Sequence, residues 1–343
     1  MPNSAFASCN ESASRREFLA RTMSLAGASL LLPFSCSAAA EPPPEIRRIR
    51  FNYFPAICLA PQYLAEEFLR LEGFSEVEYP RGIQVNRTDA APVETDMWMD
   101  ASPAVIAALD NGLPITALGG IHAGCYELFA SDRVRAIRDL KDKTVAIGAE
   151  LGLDHVFIAS MVAYVGIDPK KDIHWNIAGT NEKALQLFKE GKADAYLGFA
   201  PQPQELRAKK IGHSILSTTQ DRPWSQYFCC MLVARKEFVQ RYPIATKRAL
   251  RAVLKAADVC AEDPERAARF MAAKGHEPNY ELGLQVLKDL PYRRWREANP
   301  EDTLRFYSLR MREAGVIKST PQKIIAEGSD WRFLNELKKE MKA

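Results

Sequence analysis

The chain lacks most of the features that would commit it to a familiar chemistry. Beyond residue 40 no stretch stays apolar for the roughly 18–20 residues that crossing a bilayer takes, so the mature chain is expected to be soluble. No basic block exists: 46 Lys and Arg are interspersed with 43 Asp and Glu, for a net charge of +3. That leaves nucleic-acid binding without support. No Gly-x-Ser-x-Gly elbow, His-Glu-x-x-His pair, P-loop or dinucleotide fingerprint occurs, which removes the commonest motif-borne enzyme chemistries. No repeat of solenoid scale is present. Cysteine is not arranged as a disulfide framework either. Cys58, Cys125, Cys229, Cys230 and Cys260 follow residue 40, an odd number at wide, irregular spacing. Most sit among apolar neighbours, where a thiol behaves as a small hydrophobe, and no disulfide is assigned.

What is present begins at the N-terminus. Ser14-Arg15-Arg16-Glu17-Phe18-Leu19 precedes an uncharged stretch from Thr22 to Leu32 and a small-residue tail, Ser37-Ala38-Ala39-Ala40. A charged region, a short apolar run and an Ala-x-Ala signal make a secretory leader, residues 1–40. Its paired arginines resemble the twin-arginine export signal, so the translocase of that pathway is an expected partner and the periplasm the expected location. Cleavage is expected after Ala40. A lipoprotein reading through Cys36 fits poorly, because Pro33-Phe34-Ser35 replaces the aliphatic and small residues of a lipobox. The leader carries three arginines and two glutamates, so its loss takes the net charge from +3 to +2.

The remaining 300 or so residues are enough for two lobes. Ile46 to Phe54 reads as a strand broken by Pro55, and Pro61 opens a helix. Val77 to Tyr79 is a short strand. A helix follows with Ser102 as N-cap and Pro103 in its first turn, ending at Asn111-Gly112, and Ile115 to Leu118 is a strand. Strands are expected at 144–148, 173–177, 195–199, 214–216 and 228–234, with helices at 154–165 and 181–191 between them. Beyond Lys236 the pattern is almost all helical. Strands alternating with helices imply βαβ units and largely parallel sheets, here in two α/β runs with a helical tail.

Four segments, in this order, resemble one family. Phe51-Asn52-Tyr53-Phe54-Pro55 with Ala60-Pro61-Gln62-Tyr63-Leu64-Ala65-Glu66-Glu67 is similar to the opening of the periplasmic solute-binding proteins for nitrate, sulfonates and taurine. Asp139-Leu140-Lys141-Asp142-Lys143-Thr144-Val145 resembles the segment that leads into their second lobe. Gly166-Ile167-Asp168-Pro169-Lys170-Lys171-Asp172-Ile173 and the run from Ala184 to Ala195 resemble two later marks. The resemblance covers about residues 46–260. It implies a type II periplasmic-binding fold of two α/β lobes with a hinge and a helical C-terminal tail: residues 41–127 plus 228–343 as lobe 1, and 128–227 as lobe 2. It also implies a small, anionic ligand of sulfonate, nitrate or taurine type, and an ABC permease of the inner membrane as partner.

Candidate ligand residues follow from where strands end, since open α/β sheets bind ligands at their carboxyl edges. Tyr53, Phe54 and Pro55 lie at the end of the first strand; core packing of Phe54 is the alternative. Asp100-Ala101-Ser102 stands at a helix N-terminus, either to hold an anionic group or only to cap the helix. His122, Gly124 and Cys125 precede the expected crossover, where they either meet ligand or form a hinge. His-x-x-Cys alone is a weak zinc signal, because a structural site takes four ligands and no partner motif is adjacent; no metal or other cofactor is expected. Gly152, Asp154 and His155 start the first helix of the second lobe, where the resemblance places ligand contacts. Phe199-Ala200-Pro201 ends a strand at the same gap. Trp224 and Tyr227 stand beside the return crossover, to cover a ligand or to pack the hinge. Arg81 and Arg222 are the cationic candidates. Enzymes share this fold, but the thiamine-pyrimidine synthases carry a cysteine-rich run that Cys229-Cys230 is too short to match. No enzyme activity is expected. The alternatives are an exported ligand sensor, or an enzyme on the same fold of thiamine-pyrimidine or menaquinone-pathway type.

Overall fold

The first regular pairing is brief. Strand β1 (Arg48–Arg50) stops well before Phe54, although Phe51 N and Tyr53 N still donate to Glu78 O and Pro80 O beyond its end. A computed structural model describes residues 41–80 and 94–342; the expected leader with Cys36, and residues 81–93 with Arg81, lie outside the described residues. In the described chain β1 is followed by α1 (Ala60–Leu71), β2 (Glu76–Glu78), β3 (Met97–Ala101), α2 (Ser102–Asp110), β4 (Ile115–Ala123), β5 (Tyr126–Ala130), β6 (Lys143–Ile147), α3 (Leu153–Tyr164), β7 (Ile173–Ile177), α4 (Asn181–Lys189), β8 (Ala195–Phe199), α5 (Gln202–Ala208), β9 (His213–Ser217) and β10 (Phe228–Arg235). The tail is α6 (Lys236–Arg241), α7 (Pro243–Glu262), α8 (Pro264–Ala273), α9 (Tyr280–Asp289), α10 (Arg294–Glu297), α11 (Pro300–Glu313), α12 (Pro321–Gly328) and α13 (Arg332–Glu340).

These elements build two main sheets and a two-stranded pair attached to the first. In the first, β10 lies between β3 and β4 and is antiparallel to both. The parallel pair β1–β2 joins it through a bridge between Phe51 and Met97. The second sheet runs β7-β6-β8-β5-β9, parallel across β7-β6-β8 and antiparallel around β5. This is the type II arrangement, two α/β sheets followed by helices. The chain passes from one sheet to the other at Gly124-Cys125 and returns through residues 218–227. The first passage comes slightly ahead of the expected boundary at 127, since Tyr126 already pairs with Phe199 in the second sheet.

Strand β4 is the longest departure from expectation. It does not end near Leu118 but runs to Ala123, and every residue in it is buried. Gly119 and Gly120 allow this: a Cβ at Gly120 would run into the Phe228 ring of β10, and one at Gly119 would touch Leu250 and Leu334 at 3.6 Å. The strand is therefore packed on both faces, which places His122 inside the sheet.

Helix α1 lies on α7, burying Tyr63, Leu64 and Leu69, each a large apolar side chain worth about 1.5–3 kcal/mol on burial. At its C-terminal end Glu72 is buried and meets Arg251 Nη1 at 2.7 Å, Lys255 Nζ at 3.1 Å and Arg248 Nη1 at 3.4 Å. Helix α11 packs on α2 and α3, with the Tyr307 ring edge-on to Phe157 at 5.6 Å. The tail thereby braces both sheets.

Candidate functional site

Between the two sheets lies a cavity of about 790 Å³. Each sheet contributes a wall. From the first come the loop residues Tyr53 to Ala56, Cys58 and Leu59, the end of β3 (Met99, Asp100, Ala101), and Cys230 of β10. From the second come Tyr126, the turn after β6 with the start of α3 (Gly148, Ala149, Gly152, Leu153, Asp154), the turn after β7 with the start of α4 (Gly179 to Glu182), and Phe199 at the end of β8. Cys125 stands at the crossover between them. The carboxyl ends of β1, β3, β6, β7 and β8 all open here, as the sheet-edge rule requires.

The first wall is held by side chains beneath it. Gln62 Nε2 donates to Asn52 O at 2.7 Å, while Gln62 Oε1 accepts from Met99 N at 2.7 Å. The Tyr63 hydroxyl accepts from Phe54 N at 2.8 Å and donates to Phe54 O at 2.6 Å. Both residues come from α1, so the helix that follows the loop fixes its backbone. In the second wall, Asp154 Oδ2 accepts from Gly148 N at 2.5 Å and Oδ1 from His155 N at 2.9 Å. The Tyr196 hydroxyl lies 2.6 Å from Asn181 Oδ1 and 2.7 Å from Gln202 Oε1, anchoring Asn181. Phe54 and Phe199 face one another from opposite walls, their ring centroids 6.5 Å apart.

The electrostatics are one-sided. Asp100, Asp154 and Glu182 line the cavity, and among the described lining residues there is no Lys, Arg or His. Burial pushes the Asp100 carboxyl up to about 8, against the Ala101 N–H that favours its charged form. Burial also raises Asp154, against the Gly148 and His155 N–H groups.

The structure therefore brings Tyr53, Pro55, Asp100, Cys125, Gly152, Asp154 and Phe199 to one cavity, and places the other candidates elsewhere. Ser102 is fully buried at the first position of α2, and its hydroxyl donates to Phe228 O at 2.7 Å. Ala101 occupies the cap position instead. Gly124 (φ +69°) serves the crossover, where a Cβ would lie 2.7 Å from Thr219 Cα. His155 does not line the cavity: its Nδ1 accepts from Leu151 N at 2.9 Å and its ring stands edge-on to Trp175. Burial lowers its pKa. Trp224 is buried against Tyr164, Phe306 and Tyr307, and Tyr227 stacks on Phe306 at 4.0 Å. Helix α11 thus claims both aromatics. Arg222 is exposed on the return crossover. The wall from Gly148 to Ala149 and from Gly179 to Glu182 was not singled out from sequence, although both turns follow strands and carry the same sheet-edge signal used for Tyr53.

His122 lies fully buried and outside the cavity lining. Its Nδ1 lies 3.1 Å from Gly124 O and 3.3 Å from Ala123 O. Around it the fold gathers the cysteines that looked unrelated in sequence. The ligand atoms of Cys58, His122 and Cys230 lie within 4.8 Å of one another, as do those of Cys125, Cys229 and Cys230. Hydrogen bonds from Cys125, Cys229 and Cys58 hold Cys230 well below the usual thiol range, while burial pushes Cys125 and Cys229 up. The partners that His122-x-x-Cys125 lacked in sequence come from two other segments.

Residues 104–274 match the model of the NMT1-like family. No protein of curated function matches the chain in sequence. Among solved structures, the periplasmic nitrate-binding protein NrtA of Synechocystis PCC 6803 superposes with a TM-score of 0.71 at 15% identity, covering 88% of this chain and 90% of that one. The alkanesulfonate-binding protein SsuA of Xanthomonas axonopodis pv. citri, bound to MOPS, gives 0.61 at 15% identity over 82% and 96%. The Candida albicans CA3427 product, described as having the generic periplasmic binding protein fold, gives 0.65 at 12% identity over 83% and 96%. Residues 104–274 thus carry the NMT1-like family match, and both sheets together have the fold of the periplasmic binding proteins.

Proposed function

We propose that this protein captures one small solute between its two lobes, 41–127 with 228–343 and 128–227, and delivers it to an ABC permease of the inner membrane. The observation that carries this reading is the 790 Å³ cavity whose walls come from both sheets. A solute touching both walls favours the closed form by the difference in its contacts with the closed and open forms. The crossovers at Gly124-Cys125 and 218–227 are the hinge. The twin-arginine leader takes the chain to the periplasm. The protein performs no chemistry on its cargo.

The cargo is a neutral or cationic molecule with a flat apolar part, rather than the nitrate- or sulfonate-like anion that the resemblance implies. Burial keeps Asp100 mainly neutral at pH 7, so the charge that disfavours an anion comes from Glu182 and from Asp154 where it is ionised, and the described lining offers no cationic side chain in return. The Phe54 and Phe199 rings suit a flat group between them. A thermal-shift screen of residues 41–343 tests both statements, with neutral heterocycles, aromatic amines, nitrate, taurine and arylsulfonates in the panel. A solute at 100 times its Kd should stabilise by about 2.7 kcal/mol. Stabilisation by neutral or cationic compounds alone is expected. Stabilisation by anions alone would overturn the charge assignment, and no shift with any class would count against solute capture.

A further inference from the structure

Four thiols and one imidazole converge where the chain passes between the sheets, three of the thiols at the floor of the solute cavity and the rest behind it. Cys58 comes from the loop before α1, His122 from β4, Cys125 from the crossover, and Cys229 and Cys230 from β10. The pairing of β10 with β4 slips between Phe228 and Cys230, so that Cys229 is an extra residue. Such a bulge re-aims side chains that would otherwise point to opposite faces, and here both thiols reach one cluster. All five residues are buried.

We propose that this cluster binds one thiophilic metal ion, Zn²⁺ or Cu⁺, through Cys58, Cys125, Cys230 and His122. Cys230 is common to both sets of three ligand atoms that lie within 4.8 Å of one another, which makes it the centre of the site. Cys125 Sγ lies within 4.8 Å of Cys230 Sγ, and by turning from Cys229 toward Cys58 and His122 it supplies the fourth ligand. Three thiolates and an imidazole are a known zinc set, and soft sulfur donors select d¹⁰ ions. A tetrahedral ion with Zn–S distances of about 2.3 Å is already approached by Cys58, His122 and Cys230 and requires the Cys125 side chain to swing toward them. Cys229, whose sulfur lies 2.7 Å from that of Cys125, is the neighbour left outside the set.

The histidine provides the independent observation. A carbonyl oxygen only accepts, so the contacts of Nδ1 with Ala123 O and Gly124 O make Nδ1 the protonated nitrogen. In the neutral ring Nε2 is then the unprotonated nitrogen, and it is buried with no hydrogen-bond partner among the described residues. A metal-bound histidine takes this form, its other nitrogen fixed by a backbone carbonyl. An unpartnered nitrogen in a fully buried ring is otherwise costly. An ion has a way in, because Cys58, Cys125 and Cys230 line the floor of the cavity. The inference holds whatever the solute is.

The test is metal content and cobalt uptake. The mature chain is purified anaerobically, assayed for metal by mass spectrometry, stripped, and titrated with Co²⁺. One equivalent of metal is expected, with sulfur-to-cobalt charge-transfer bands and the intense visible bands of a tetrahedral site. Cys230→Ser should abolish the bands, and His122→Gln should weaken binding about 100-fold or more. Cys260→Ser, at a buried thiol on α7, should leave uptake intact. If the site variants do not fold, the wild-type stoichiometry and bands decide alone. Wild-type protein with five freely titrating thiols and no cobalt bands would overturn the proposal. So would a Cys125–Cys229 disulfide in the native protein, or cobalt uptake by Cys230→Ser equal to wild type.

Discussion

Replacing Asp154 tests how the second wall of the cavity is held. Its carboxylate ties the turn at Gly148 to the first turn of α3 through the Gly148 and His155 N–H groups, at 2.5 and 2.9 Å. Hydrogen bonds to a charged acceptor contribute about 1.5–3 kcal/mol each, and burial of the charge, which raises the pKa, offsets part of that. Asp154→Ala should therefore lose about 2 kcal/mol net, or about 4 °C in Tm for a chain of this size. Asp154→Asn keeps one acceptor and should lose about half as much. The pH dependence carries the sharper test. A carboxyl whose folded pKa is raised contributes most stability below its unfolded value of about 3.9, and that contribution is lost as pH rises toward the folded pKa. Asp154→Asn removes this slope while leaving every other carboxyl in place. Its deficit against wild type, measured by calorimetry, should therefore be largest near pH 4 and shrink by pH 7. A deficit that grows with pH would show that hydrogen bonding outweighs burial, and would refute the reasoning.

Gly124 and Gly112 both have positive φ, but a Cβ meets Thr219 at the first and nothing within 4 Å at the second. Gly112→Ala should cost about 1 kcal/mol, while Gly124→Ala should cost several-fold more or prevent folding, as read from Tm and soluble yield. Gln62→Leu leaves Asn52 O and Met99 N without their partner and should destabilise by about 2–4 kcal/mol, measured by denaturant unfolding. Phe199→Ala should weaken binding of any solute found by screening at least tenfold with little change in apo Tm. Ser102→Ala, whose hydroxyl only reaches Phe228 O, should leave solute affinity unchanged at a cost of about 1 kcal/mol in stability.

The strands and helices were legible from local chemistry, but the largely parallel sheets expected from their alternation were not, since pairing is antiparallel around β10 and β5. The buried runs at 143–147, 195–199 and 228–235 are apolar and flanked by helix signals, and each became a strand. Pro61 and Pro103 stand in first turns as their chemistry demands. The lining of the cavity was legible where a strand end could be read, as at Tyr53, Asp100 and Phe199. It failed where a distant element decides what a side chain touches. Trp224 and Tyr227 meet Phe306 and Tyr307, some eighty residues further along the chain, and nothing near them announces that partner. His122 was misplaced because β4 continues past Leu118 through Gly119-Gly120, where the glycines act as a close packing surface for Phe228 instead of a turn. The thiol cluster escaped for the same reason. Its members come from three separate segments, and the β10 slip that brings Cys229 and Cys230 together is a property of strand pairing.

Native mass spectrometry of the mature protein, isolated from the compartment where it works, tests the central claim most directly. A wild-type chain that captures solute between its two walls should carry one small molecule per protein. A Gly148→Trp variant should carry none, because even a Cβ at that position lies 3.0 Å from Asn181 N and a ring would fill the cavity between the walls. The same small-molecule adduct on both proteins, or a wild type that retains nothing even after incubation with the solute panel, would contradict capture in this cavity.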